Sequence, residues 1–416
     1  MSKIDFMSLK TIDFCDDVRD GTHDSPKHLD SGKLLITSKN IKGDSIDFEN
    51  ASYISEKDYN KINERSLVEI NDVLYSMIGT VGLVYRVDQQ PNYAIKNMGL
   101  FKIHDELKSK WLYYYLNSPK AKGKVLSMLS GSTQKFISLS NLRNLEIEFP
   151  QNIDDAKRII KICESIDKKI KLNNKINNNL FELMKRTYIE WFKNYNIPNV
   201  TFELKDSELG KIPCGWNIKH LKDVFFFQEG PGIRNWQYVE KDGIKFINIR
   251  CIKDNDLELD TANMISNEEA EGKYKHFMLN EWDVVVSTSG TLGRNQIIRK
   301  EHLPLCLNTS VIRFKPINGF DEYAFMYNYL ISDEFLNLLD VMATGSAQRN
   351  FGPMHLNKID LVYPDKDIIK KYNDLMFPVI KNIQNNKAEN MKLSQLRDTL
   401  LPKLMNGEID LDNIEV

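Results

Sequence analysis

Two stretches of this chain, residues 153–195 and 366–406, set their apolar residues at alternating steps of three and four. The first stripe runs Ile159, Cys163, Ile166, Ile170, Asn173, Asn177, Leu180, Met184, Thr187 and Trp191. The second runs Ile369, Tyr372, Met376, Val379, Ile383, Asn386, Asn390, Leu393, Arg397, Leu400 and Leu404. Such spacing is the seam of a coiled coil. Each seam carries two asparagines near its middle, and 386 − 173 equals 390 − 177 equals 213, which marks one helix used twice. A buried amide leaves polar groups unpaired unless it meets another amide, so matched asparagines act as a register device. In an antiparallel pairing Asn173 faces Asn390 and Asn177 faces Asn386, both pairs summing to 563. The same sum sets Ile159 against Leu404 and Trp191 against Tyr372, so the apolar ends also meet. The expectation is an intramolecular antiparallel coiled coil of about 40 residues per helix, roughly 60 Å long at 1.5 Å per residue. Two unrelated amphipathic core helices are the plainer alternative.

The rest of the chain is duplicated in the same way. Gly32–Ser55 overlays Gly243–Ser266 without a gap at an offset of 211. The same offset takes Asp72-Val73 to Asp283-Val284, Gly79-Thr80-Val81-Gly82 to Gly290-Thr291-Leu292-Gly293, and Asn97 to Asn308. Further on the offset is 214: Gly131–Lys135 meets Gly345–Arg349 and Pro150 meets Pro364. Matching positions are glycines, turn formers and core apolars, while intervening polar residues differ freely, so one fold carries two surfaces. In the first copy, strand-like runs at Lys33–Ile36, Asp72–Met77, Gly82–Val87 and Leu145–Phe149 surround a helical patch, Lys110–Ser130, whose aromatics Trp111–Tyr115 read as core. The order is a head (1–150), a helix (151–197), a second head (198–365) opened by a linker with Pro198 and Pro213, and a last helix (366–416). The fold class is α+β, with two globular α/β-mixed heads separated by two long antiparallel helices as a pseudo-two-fold internal repeat. Heads held at opposite ends of a rod suit a partner with two-fold repetition. Duplex DNA is one, read at two half-sites more than one turn of about 34 Å apart; a symmetric protein dimer is another.

A chain of 416 residues implies two or three domains, and 42% hydrophobic content is enough to fill their cores. The net charge of −2 gives no global positive field, so DNA contact would have to come from local basic loops. Five scattered cysteines without a CxxC pair fit a reducing cytoplasm and argue against disulfides and zinc. With no signal-like N-terminus and no apolar run of membrane-spanning length, a soluble cytoplasmic protein without a membrane partner is expected. No GxxxxGK[ST] loop is present, nothing reads Pro-Pro as an adenine-methyltransferase loop would, and the seven histidines show no HExxH or ligand spacing. Asp365 after Pro364 lacks the downstream ExK of a nuclease. These absences point to a binding and scaffolding chain with no catalytic residue, no metal and no cofactor of its own.

Candidate contact residues lie in the polar turns that the heads share in position but not in identity. Ser132, Thr133, Gln134 and Lys135 follow Gly131; Ser346, Gln348 and Arg349 follow Gly345. A hydroxyl, an amide able to bond an adenine edge bidentately and a cation together serve base and phosphate contacts; an ordinary loop before a strand is the alternative. Thr80 and Thr291, with Arg294 beside the latter, sit among glycines where a phosphate could approach, or where a turn simply holds the fold. Thr22 and His23 follow Gly21, and Arg234 follows Gly230-Pro231-Gly232-Ile233, early in each head. Lys39, Lys42, Arg250 and Lys253 follow the first shared strand as candidate phosphate clamps, although surface lysines are usually just solvated.

The duplicated heads, the stretch Ser207-Glu208-Leu209-Gly210-Lys211-Ile212-Pro213-Cys214-Gly215-Trp216 and the closing Leu400-Leu401-Pro402-Lys403-Leu404-Met405-Asn406-Gly407-Glu408-Ile409 resemble the specificity subunit of type I restriction-modification systems over essentially the whole chain. The resemblance implies that each head is a target-recognition domain reading one half of a split site in double-stranded DNA. It implies that the helices are spacers docking two methyltransferase subunits, with restriction subunits completing the complex. S-adenosylmethionine, ATP and magnesium would then bind the partners. A scaffold or antirestriction protein that binds methyltransferase subunits without reading DNA is the competing reading, and a single-chain enzyme is a remoter one.

Overall fold

The computed structural model describes residues 4–131, 135–253, 256–343 and 349–409. It separates into two compact units, residues 1–170 with 392–416, and residues 171–391. Each unit therefore takes one head and part of both long helices.

In the first unit an antiparallel sheet orders its strands Asp17–Asp20, Met98–Lys102, Val73–Ser76, Val84–Arg86. Val73–Ser76 is buried throughout because its two faces serve different cores. Val73 and Tyr75 join a cluster with Phe101, Trp111 and Tyr115, while Leu74 joins Ile36, Ile95 and Leu100. That is the period of two of a strand covered on both sides. The second cover is a three-stranded group in which Lys33–Ile36 pairs antiparallel with Ser52–Ile54 and parallel with Tyr93–Ile95.

The second unit repeats this plan. Its sheet runs Phe225–Glu229, Val311–Pro316, Val284–Ser287, Asn295–Ile297. Val284 and Val286 face one core and Val285 the other. The predicted offsets reappear as spatial contacts. Lys33 pairs with Ile54 as Ile244 pairs with Ile265, both partners displaced by 211. The bridge Ile78–Phe136 recurs as Ser289–Asn350, displaced by 211 and 214. The offset grows earlier than the sequence match suggests. Val73 faces Phe101 and Val284 faces Phe314, so the returning strand already lies 213 further on. Two residues have entered beside Thr309-Ser310.

The matched aspartates prove structural. Asp72 accepts from the Glu69 amide (2.7 Å) and meets the Lys102 ammonium (2.7 Å). Asp283 accepts from the Asn280 amide (2.8 Å) and meets Lys315 (3.0 Å). The helical patch is two helices, Glu106–Asn117 and Pro119–Met128, because Pro119 cannot continue the first but opens the second, with Ser118 as its cap. Ser332 caps Asp333–Met342 at the equivalent place. Trp111, Tyr114 and Tyr115 are buried, as expected of core aromatics.

The long helices span Ile153–Phe192 and Lys366–Met405. The first stops short of 195 because Tyr195 turns left-handed (φ 58°) and the amides of Lys193 and Asn194 both close back on Ile189. The second ends where Gly407 adopts φ 67° and the Glu408 amide bonds the Lys403 carbonyl, a Schellman-type close built from the Asn-Gly-Glu phrase. Within the second unit the helices pair antiparallel in the predicted register. Asn173 donates to Asn390 (2.9 Å), Asn386 donates to Asn177 (2.8 Å), and the Trp191 and Tyr372 rings lie 5.4 Å apart. Within the first unit Ile159 and Leu404 share one buried cluster, and Arg397 reaches Asp167 at 2.9 Å. The helix ends do more than pair with each other. Ala156, Ile159, Ile160, Leu401, Leu404 and Met405 complete the core of the first head, and Met184, Tyr188, Phe192, Ile369 and Tyr372 complete that of the second.

Candidate nucleic-acid interface

In each head, turns far apart in sequence meet at one end of the strands. In the first, Thr22 bridges to Lys96 and its carbonyl accepts from the Asn97 amide (3.1 Å). The Ser38 hydroxyl donates to the Ile78 carbonyl (3.4 Å), and Ile78 bridges to Phe136, next to exposed Lys135. In the second, the Thr309 amide donates to the Pro231 carbonyl (3.2 Å) and Ser310 Oγ accepts from the Ile249 amide (3.3 Å). Ser289 bridges to Asn350, next to exposed Arg349. The candidate loops around Thr22, Lys39, Thr80 and Lys135, and around Arg234, Arg250, Thr291 and Arg349, are thus brought together head by head.

Local chemistry explains the shared turns. Thr37 Oγ1 accepts from the Lys39 amide (3.3 Å) and Asn248 Oδ1 from the Arg250 amide (2.9 Å), 211 residues on, so both cations stand exposed at the same kind of tip. Ser76 Oγ donates to the Thr80 carbonyl (2.6 Å) and Ser287 Oγ to the Thr291 carbonyl (2.6 Å). Gly79, Gly82, Gly290 and Gly293 all take positive φ there, which accounts for the repeated Gly-Thr-x-Gly as a held turn with its threonine exposed.

Several candidates are also engaged within their own head. Arg349 pairs with Asp340 (2.7 Å), Lys253 with Glu258 (3.4 Å), and Arg294 donates to the Ile252 carbonyl (3.3 Å). Lys42 is exposed on the hairpin that joins Ile41–Lys42 to Ser45–Ile46. Ser132, Thr133, Gln134, Ser346 and Gln348 lie outside the described residues.

His23 has the most developed surroundings. Its Nδ1 lies 2.9 Å from Asn97 Oδ1 and its Nε2 2.9 Å from Asp20, itself bridged by Arg65. Two oxygen acceptors favour the doubly protonated ring, so the Asn97 bond first, then Asp20, raises the His23 pKa above its ordinary value against the opposing effect of burial. This group borders a cleft of about 380 Å³ between residues 21–26 and the helix Glu56–Ser66. Sequence reasoning missed Asp20, Arg65 and Asn97, whose roles come from long-range contact. It also missed Trp236, 81% exposed two residues after Arg234, where an aromatic would normally be assigned to a core. Among the described residues no group of three or more His, Cys, Asp or Glu is placed to hold a metal ion, and no helix is long and apolar enough to cross a membrane.

A family model described as the type I restriction modification DNA specificity domain matches residues 24–182 and 213–395, more than half of the chain and once on each copy of the repeat. The chain belongs to that family. Its similarity to named members extends over most of their lengths. It is 24% identical over 389 residues to the specificity subunit of the type I restriction enzyme MjaIX of Methanocaldococcus jannaschii, covering 87% of this chain and 84% of that one. It is 21% identical over 410 residues to the HindI specificity subunit of Haemophilus influenzae, covering 83% and 88%. The S subunit of the type I restriction-modification system of M. genitalium shares the specificity-subunit fold, with a TM-score of 0.56 at 16% identity over 97% of each chain. The expected α+β architecture of two heads and paired helices is therefore the family's.

Proposed function

We propose that this DNA-specificity subunit is non-catalytic and reads a split, asymmetric site, one half with each head, while the paired helices set the separation and dock two methyltransferase subunits. The observation that carries this reading is the assembly of equivalent turns at one end of the strands of each head, with different side chains on the same scaffold. Shared turns supply phosphate contacts that hold position, and the differing residues supply base contacts that specify sequence. S-adenosylmethionine, ATP and magnesium would be bound by the methyltransferase and restriction subunits of a cytoplasmic complex. The named relatives, themselves specificity subunits of type I restriction enzymes, support the assignment of partners.

The test is single-molecule sequencing of adenine methylation in cells expressing the chain with a methyltransferase subunit. A split motif in which only one half changes when residues 1–150 are exchanged for another head is the expected result. A stable complex without chain-dependent methylation would reject it. That outcome belongs to the second reading, a scaffold that does not read DNA, which draws on the near-neutral net charge and on the internal pairing of Lys253 and Arg349.

A further inference from the structure

The duplication supplies an internal control for one acidic residue. Asp20 lies opposite Gly99 and Glu229 opposite Ile312. Through the central strands, where Val73 faces Phe101 and Val284 faces Phe314, Gly99 and Ile312 occupy the same rung, so Asp20 and Glu229 end equivalent strands. The next residue is glycine in both, and a Cβ on Gly21 or Gly230 would strike backbone at 2.4 and 2.5 Å. The two carboxylates nevertheless meet opposite fates. Asp20 is buried and neutralised by Arg65 and His23. The Glu229 carboxylate accepts no hydrogen bond from any described residue.

Glu229 instead lines an open cleft of about 490 Å³ together with Thr288, Ser289, Thr309, Ser310 and Asn350. Gly352 lines the same cleft, with the position of a Cβ there 4.0 Å from the Glu229 Oε2. Thr309 and Ser310 come from the two-residue enlargement of the second head, and Ser310 Oγ holds the turn that carries Arg250. Burial pushes the Glu229 carboxyl above the ordinary carboxylate range, with no described donor to offset the lost water. A half-buried acceptor of this kind, among hydroxyls and an amide and flanked by cationic loops, matches a base edge that presents an amino donor.

We propose that Glu229 is a base-reading acceptor of the second head, taking the hydrogen bond of an exocyclic amino group, that of cytosine N4 above all, in the half-site this head contacts. The inference rests on the DNA-reading function proposed above. In the first head the equivalent carboxylate is already satisfied, so the two heads differ in chemistry at one rung of a common scaffold.

The test uses the full chain in complex with its methyltransferase subunits. Methylation is mapped by single-molecule sequencing for wild type, Glu229→Gln and Glu229→Ala, with thermal melting of each complex. Expected is a relaxation of about tenfold or more in base preference at one position of one half-site, the other half unchanged. The wild-type complex should also lose about tenfold in binding to a duplex in which that one base lacks its exocyclic amino group, and Glu229→Ala, which has no acceptor left there, should be indifferent to the same replacement, while Glu229→Gln keeps an amide oxygen and should fall between the two. This second measurement stands even where a variant folds poorly, because its first arm needs only wild type. A wild-type split motif that both variants and the base analogues leave unaltered overturns the role of Glu229 alone. So does loss of subunit assembly without altered base preference, which would make the cleft a protein contact. Absence of any sequence preference in wild type rejects the DNA-reading function itself.

Discussion

Lys102 is almost closed off from water, and its ammonium meets Asp72, which is buried as well. Removing one member of such a pair strands the other. Lys102→Met is therefore expected to cost about 3–5 kcal/mol in denaturant unfolding of the first unit. Lys315→Met should cost clearly less, because Lys315 is partly exposed and Asp283 keeps Arg313 at 3.6 Å and the Asn280 amide. At His23 the folded pKa is raised, so its contribution to stability and its positive charge are present at low pH and disappear as pH rises through the folded value. NMR titration should place that value above the ordinary histidine range. DNA affinity should fall through the same window, and His23→Gln should flatten the dependence. None of these pairings was legible in the sequence beyond the matched Asp-Val pairs. Lys102 is 30 residues from Asp72 and Arg65 is 45 from Asp20, and only folding makes them neighbours.

The long helices were legible at the level of register because their seam is a local repeat and the amides admit few partners. Asn173→Leu should destabilise the chain by about 1–3 kcal/mol by leaving Asn390 without its amide donor. The double change with Asn390→Leu should recover much of that loss, and a double-mutant cycle measures the coupling. Equal losses in single and double variants would show that the amides do not act as a pair. One residue of the second helix lies outside its apolar seam and is engaged all the same. Lys387 donates to Gln296 Oε1 (3.0 Å), which in turn donates through Nε2 to the Lys253 carbonyl (2.7 Å). Burial holds its pKa down to about 8, with Arg299 opposing and Asp256 favouring its charge. Between that value and the ordinary lysine range the unfolded chain binds the extra proton, so stability rises with pH. Relative to Lys387→Met, wild type should gain on the order of 2 kcal/mol between pH 7 and 9.5, read by denaturation at each pH.

At the scale of the whole molecule, the helices are not spacers that could be trimmed without consequence. Leu401, Leu404 and Met405 sit in the core of the first head, at least 251 residues after that head's last strand, which ends at Pro150 (401 − 150 = 251). Truncation before residue 400 should therefore strip hydrogen-exchange protection from residues 4–150 while residues 217–363 keep theirs. Equal loss in both regions would contradict the separate cores. With a net charge of −2, DNA affinity must rest on local cations and not on a global field. The slope of log K against log salt should match only a handful of phosphate contacts, and neutralising Lys39 or Arg250 should lower it by about one each.

Periodicity and self-similarity are local properties of the chain. The sequence alone therefore determined that one head occurs twice, that two heptad seams pair antiparallel, and that Asn173 meets Asn390 and Asn177 meets Asn386. It also placed Lys39 and Arg250 after the first strand of the repeat, and the structure adds the side-chain oxygen two residues earlier that shapes each turn. Tertiary structure decided what depends on contacts between distant segments. It tied Asp20 to Arg65 and His23 but left Glu229 facing an open cleft, and it drew the helix ends into the head cores. The strand that returns two residues later in the second head has a clear physical consequence. A pleated ladder propagates an added pair of residues without turning any side chain to the other face, so the scaffold stays the same while the surface at its edge changes.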